Sequence, residues 1–219
     1  MPRHARAVAG RKGDPSVALR EHLVAVAEEL LAERQVSAIT IRDIAGAADV
    51  SDGVLYNYFA DKTDLLLTAL VRRFSGIVER LHAKRPEPGS ATVEANLGVF
   101  AAALLDLHTD ALPIFGKLLT EPALLRRFMN DIHSPGQTFG GKQIRDPLVE
   151  YLAGEQKLGR IGAVDIEAAA DLVVGAVATV ALTGLLGVVT PAGARKRLSA
   201  IAATLVTGLE PVTSRRRNR

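Results

Sequence analysis

Across residues 19–209, apolar side chains return every three or four positions, and no stretch keeps a two-residue alternation bounded by hairpin turns. A period near 3.6 gathers such positions on one face of a helix, whereas a strand would scatter them over both of its faces. The chain is therefore expected to be all-α. Leu19, Leu23, Val26 and Leu30, with Val24, Ala27 and Leu31 beside them, make the first stripe. Asp14 and Pro15 ahead of it offer an N-cap and a first-turn proline. Thr40-Ile41-Arg42-Asp43 has the form of a capping box with an acid in its last place, so a second helix starts there. A third, very short helix can start at Ser51. A long one follows Asp61, with Leu65, Leu66, Leu70, Phe74, Ile77, Val78 and Leu81 on one face. Further helices are predicted over 92–108, 113–132, 141–157, 165–189 and 192–209, with breaks at Pro113, Pro122 and Ser134-Pro135-Gly136. Arg85-Pro86-Glu87-Pro88-Gly89-Ser90 interrupts the pattern most sharply and is the expected domain boundary.

Composition matters mainly for where the charge lies. The 219 residues are 48% apolar and 23% charged, a globular mixture with enough apolar surface for a core. Aromatic residues make up only 4%, which disfavours a β-sandwich or barrel core. The absence of cysteine excludes disulfides, a thiol nucleophile and a Cys-bearing zinc site, and fits a reducing, cytoplasmic setting. No apolar run follows the basic N-terminus, so no secretory signal is expected. Residues 1–12 hold Arg3, Arg6, Arg11 and Lys12 without an acid, and the last five residues hold four arginines without one. Residues 13–214 then carry 19 bases against 24 acids. Basic ends on an acidic body fit contact with nucleic acid or an anionic surface; solvated tails would look the same.

Residues 40–62 carry the chemistry. Ile44, Ala45 and Ala48 would face inward from a two-turn helix, Asp49-Val50-Ser51 would turn the chain, and Ser51 would cap a helix containing Val54, Leu55 and Tyr58. Two short helices crossing steeply need a small residue at their closest approach, supplied by Ala45, and apolar plugs, supplied by Val50 and Leu55. This is a helix-turn-helix, whose second helix presents its N-terminal side chains to a DNA major groove. The string TIRDIAGAADVSDGVLYNYFADKTDLL resembles the DNA-binding segment of the TetR family of bacterial transcriptional regulators. Thr40, Ile44-Ala45, Val50-Ser51, Gly53, Leu55-Tyr56, Tyr58-Phe59, Lys62 and Leu65-Leu66 carry the likeness, which is strong over residues 17–75 and architectural beyond them.

The residues suggest their own roles. Thr40 and Ser51 place hydroxyls at helix N-termini, where amides and the helix dipole favour phosphate. Tyr56 and Tyr58 can donate phenol hydrogens to the DNA backbone, and Lys62 can pair with a phosphate. Gly53 lets the helix approach closely, and Asp52, Gly53, Val54 and Asn57 are positioned for bases. Val54 could touch a thymine methyl, and Asn57 could bond a base edge or a phosphate. Phe59 reads as core. Two positions depart from the family. Asp49 stands where it often has Gly, so an Asp must bear left-handed backbone. Asp52 stands where a Lys or polar residue is common; an acid there repels phosphate but could accept from a cytosine amino group.

Residues 172–194 contain no charge, long enough for a membrane span, yet acids precede them and no aromatic belt flanks them. Gly175, Thr179, Thr183 and Gly187 recur every four residues, a small-residue stripe suited to close helix packing. Leu198, Ile201, Leu205 and Leu209 would line a partner helix. The resemblance implies that the last two long helices of each subunit form a four-helix dimer interface, and that the larger domain holds a small-molecule pocket. Candidates for its lining are Phe100, Leu104, His108, Phe115, Phe128, Ile132 and Phe139, whose few charges suggest an apolar effector. Residues 136–143 nearly match a P-loop, but Gln143 replaces the Ser/Thr that would hold magnesium and no strand precedes it. No cofactor, metal or catalytic constellation is expected.

The expected organisation is a basic arm (1–13), a three-helix helix-turn-helix DNA-binding domain (14–84), a larger C-terminal helical ligand-binding and dimerisation domain (90–210) and a basic tail (211–219). The function implied is a non-enzymatic, cytoplasmic, homodimeric repressor of the TetR type. It would bind a near-palindromic double-stranded DNA operator and be released by a small apolar effector, without a membrane partner. Rival readings are a helical small-molecule-binding enzyme or carrier, and a membrane-associated protein anchored through 172–190.

Overall fold

The computed structural model describes residues 15–133 and 141–209, and among these every regular element is helical. In order they are α1 (Pro15–Glu33), a short 3-10 turn (Val36–Ala38), α2 (Ile41–Ala47), α3 (Asp52–Leu55), α4 (Lys62–Ala83), α5 (Val93–Leu119), α6 (Pro122–His133), α7 (Gly141–Lys157), α8 (Ile166–Leu185) and α9 (Pro191–Leu209). Asp14, the basic arm, the basic tail, Phe139 and most of the P-loop-like segment lie outside the described residues.

The chain divides into two compact units. One comprises Met1–Phe74 with Ile114–Pro135, the other Ser75–Pro113 with Gly136–Arg219. In the first, α1 packs on α2 and α2 on α3. Leu23, Ala27, Ile39, Ile44, Leu55, Leu65 and Leu66 are essentially inaccessible to solvent. Phe74, Phe115 and Phe128 meet edge to face, with centroids 5.7–6.0 Å apart, the geometry that their ring quadrupoles favour. Lys117 caps the C-terminus of α1, its Nζ donating to the carbonyls of Leu31 and of Ala32 (3.1 Å for the latter). Partial burial lowers the ammonium pKa, Arg73 adding to the effect, while the negative end of the helix dipole welcomes a cation.

In the second unit α8 packs between α7 and α9. Asp165 caps α8 through Ala168 N at 3.0 Å. At its other end Gly187 takes φ +71°. Val188 N then reaches Thr183 O at 2.9 Å and Gly187 N reaches Gly184 O at 3.0 Å, a Schellman stop. The helix thus ends at Leu185 rather than near residue 189. The proline-rich break is fastened to α7: Arg85 pairs with Glu150 at 3.3 Å, and Gly89 N donates to the fully buried Glu155 at 2.9 Å. Arg160 balances the Glu155 charge at 3.3 Å, and burial pushes the nearby Tyr151 phenol well above its ordinary pKa.

One expected break is absent. α5 runs unbroken through Pro113. A mid-helix proline costs about 3 kcal/mol, but Leu107, Ala111, Ile114 and Leu118, spaced along one face across it, are all buried. At roughly 1.5–3 kcal/mol per fully buried aliphatic side chain, that stripe outweighs the lost hydrogen bond.

Candidate functional site

The helix-turn-helix is built on local bonds. Thr40 N and Oγ1 both donate to Asp43 Oδ2, at 2.8 and 2.7 Å, and Asp43 N donates back to Thr40 Oγ1 at 3.2 Å. The capping box expected from the sequence is therefore complete. The Thr40 hydroxyl bond is the main reason the Asp43 carboxyl titrates below the ordinary aspartate value, with Arg34 3.3 Å away contributing. At the far end, Val50 N reaches Ala45 O at 3.0 Å and Asp49 N reaches Gly46 O at 3.3 Å, a Schellman turn. Its left-handed residue is Asp49, at φ +54°. The departure from glycine read in the sequence is thus carried as backbone conformation, which a short polar side chain tolerates. Ala45 is buried under the crossing and Leu55 plugs it, while Val50 is only half-buried.

The outer face of α3 is open. Ser51, Asp52, Gly53, Tyr56 and Asn57 are exposed, Val54 and Tyr58 half-buried, and Phe59 buried. Tyr56 stands out, with 58% of its surface accessible although nothing polar in the fold requires a tyrosine there. A Cβ added at Gly53 would meet nothing within 4 Å, so no protein contact demands glycine; its bareness leaves the backbone approachable from outside. Phe59 is covered by the Arg20 guanidinium, 5.0 Å from the ring centroid, at cation–π distance.

Three expected contacts look different in the fold. Ser51 holds the N-cap position of α3, but its side chain makes no cap bond. Its carbonyl accepts from Val54 N at 3.0 Å instead, because a one-turn helix closes through i→i+3 backbone bonds. The Thr40 hydroxyl hydrogen is committed to Asp43. Lys62 Nζ donates to Ile39 O at 2.8 Å, tying the start of α4 to the chain entering α2; the ammonium has two further protons to donate. Arg42, which periodicity and motif spacing do not single out, is wide open: its side chain is 90% exposed, with Nε 3.7 Å from Asp52 Oδ2. That loose pair moderates the acid at the front of α3. The sequence signal available for it is its place in the first turn of α2, inside the capping box.

Residues 23–69 match the family model of the bacterial regulatory proteins of the tetR family. The N-terminal domain is of the TetR type. Over 122 residues the chain is 30% identical to the HTH-type transcriptional regulator AlkX of Mycobacterium tuberculosis, covering 52% of this chain and 54% of that protein. Over 92 residues it is 37% identical to the HTH-type transcriptional repressor KstR of Rhodococcus jostii, 42% of this chain and 39% of the other. The matches thus span about half or less of these relatives. The flavonoid-responsive regulator FrrA shares the fold at a TM-score of 0.66 and 22% identity, over 90% of this chain and all of its own.

The expected pocket residues fall in both units. Phe100, Leu104 and His108 belong to the second unit, and Phe115, Phe128 and Ile132 to the first. Phe100 and Leu104 are core, Phe100 lying 5.1 Å from the Tyr151 ring. His108 Nδ1 is bonded to Leu104 O at 2.7 Å, an ordinary i→i−4 contact. A cavity of about 520 Å³ does occur in the second unit, lined by none of these side chains. On α8, Gly175 and Thr179 are exposed and Thr183 half-buried, the two hydroxyls turned back on Gly175 O and Thr179 O. Gly187 stands past the helix end and forms its stop. Leu198 is buried within the chain itself, whereas Ile201 and Leu205 are half-buried.

Proposed function

We propose that this protein is a homodimeric, ligand-responsive transcriptional regulator of the TetR type, acting as a repressor on a near-palindromic DNA operator. The observation that carries the reading is the open outer face of α3 within the segment that matches the family: an exposed tyrosine, an exposed Asn57 and a bare glycine backbone, with no internal reason for any of them. Recognition helices present such side chains to base edges, while flanking groups hold phosphates. In this reading Tyr56, Tyr58 and Lys62 bond the backbone, and Gly53, Val54 and Asn57 approach the bases. The similarity to KstR, named a repressor, and to FrrA, named flavonoid-responsive, supports repression relieved by a small molecule.

Dimerisation is supported by α8. Leu172, Leu182 and Leu185 are 63%, 47% and 59% exposed and the C-cap Leu186 67%, on and just past a helix whose other face is buried in its own unit. Around Gly175 and Thr179 a second copy can approach closely, and two half-sites share one affinity. α8 is also long and apolar enough to cross a membrane, as is α5; partition of the full chain into a detergent phase would favour an anchored form over a dimer.

The test is selection of bound fragments from genomic DNA, then gel-shift titration. Tyr56→Ala should weaken binding to the selected operator by about tenfold or more, with the unfolding temperature unchanged. Undiminished affinity would overturn the assignment of α3 as the reading element.

A further inference from the structure

The cavity in the second unit lies where the C-terminal half of α4, the middle of α5, the end of α8 and the start of α9 meet. At about 520 Å³ it falls within the roughly 300–1,000 Å³ of small-molecule sites. Its floor is apolar: Leu81, Leu107, Val180 and Ala181 line it and are buried. Its rim is charged, and the charges do not cancel. Arg80 is matched by Asp110 at 2.6 Å and Lys84 by Asp106 at 2.8 Å. Arg195 also lines the cavity, and among the described residues its guanidinium has neither an ion pair nor a hydrogen bond. The site thus offers one uncompensated cation above an apolar floor.

We propose that this cavity binds an amphipathic anion, an apolar body bearing a single carboxylate or phosphate, with the head group on Arg195 and the body on the α5–α8 floor. A neutral ligand would leave the guanidinium unused, and a cationic one would meet net positive charge, since both rim acids are already paired. A guanidinium presents parallel donors that fit carboxylate and phosphate alike. The inference rests on the ligand-responsive reading above and sharpens it: the effector is apolar in body but carries a negative head.

The test is isothermal titration of the full-length protein with decanoate, decyl phosphate, decanol and decylamine, each below its micellar concentration. Decanoate and decyl phosphate should bind more tightly than decanol, and decylamine least; whichever anion binds more tightly identifies the head group. Arg195→Ala removes a side chain without a described partner, so the fold should survive. It should weaken the two anions by up to about fivefold, the upper end for an exposed ion pair, and leave decanol unchanged. Gly184→Leu places bulk beside Val189 O, where a Cβ has 4.0 Å of room, and should weaken all the probes. Absence of binding, equal affinity for decanol and decanoate, or anion affinities unmoved by Arg195→Ala would each overturn the proposal. Gel shifts with the selected operator separate this from the parent reading. Anion binding without operator release removes only the effector role, whereas failure to select any operator removes the DNA reading and leaves the titrations to decide the cavity.

Discussion

α3 and α8 each leave a face uncovered, for opposite chemical reasons. α3 and the turn that follows it expose a phenol, an amide and bare backbone, groups that water satisfies and that cost little to leave open. α8 exposes a row of leucines beside glycine and threonine, surface that water disfavours and that a monomer seldom leaves in one patch. The first face can wait for an intermittent partner. The second calls for a standing one. Substitutions on α8 should therefore act on assembly first and on DNA only through it, while those on α3 should act on DNA and leave assembly intact.

The largest expected effect comes from breaking the apolar face. Leu172→Glu with Leu186→Glu should convert a dimer into a monomer in sedimentation. Each leucine contributes about 1.5–3 kcal/mol when buried, and each occurs once per protomer. Protomer unfolding should change little, since both side chains are already exposed. A variant that still sediments as a dimer would place the interface elsewhere.

Next in size is the basic arm. The described residues 15–74 hold six lysines and arginines against nine acids, so the module that meets DNA brings no favourable net charge of its own. Arg3, Arg6, Arg11 and Lys12 would then supply phosphate contacts from outside it. Deleting residues 1–12 should lower the slope of log K against log salt by up to about 0.9 for each phosphate no longer neutralised. An unchanged slope would make the arm a solvated tail.

Gly53→Ala sharpens the contrast through opposite signs. Ala should stabilise the helix by about 0.5–1 kcal/mol, because Gly53 has no special backbone angle and open space around it. The same methyl should weaken operator binding if DNA approaches this backbone. Chemical denaturation and gel shift on one sample check both signs; affinity that rises with stability would refute close approach.

Local bonding is legible in the sequence, and long-range enclosure is not. The Thr40–Asp43 box and the buried stripe from Leu65 to Leu81 each depend on residues a few positions apart, so spacing alone specifies them; the left-handed Asp49 is legible through the family resemblance, which puts a glycine there. Lys117 capping α1 depends on helices more than eighty residues apart. The cavity depends on four elements failing to close, which no period in any one of them encodes. Periodicity marks which face is buried, yet it is blind to gaps between buried faces. It places Phe100 and Leu104 inward without showing that they are filled core. For the same reason it cannot separate Leu198, covered by the chain itself, from Leu172 and Leu186, which are not.

Comparable in size to the Gly53 effect, and the most local of all, is the loss of the Thr40 cap. Thr40→Ala should cost about 1 kcal/mol as a lost cap, with a distinctive pH signature. In the folded chain the Asp43 carboxyl titrates below its ordinary value of 3.8, chiefly because the Thr40 hydroxyl bonds its charged form. The stability this provides is present in full above the unfolded-state value and is lost as pH falls through the lower folded value. Removing the hydroxyl removes the main cause of the shift, leaving the Thr40 amide and Arg34 as weaker ones. The difference between wild type and Thr40→Ala should therefore be greatest near neutrality and shrink on the acid side. A difference independent of pH would mean that the threonine acts through packing or backbone conformation. Operator affinity adds a second reading: with its hydrogen held by Asp43, Thr40 should matter to DNA less than Tyr56 does.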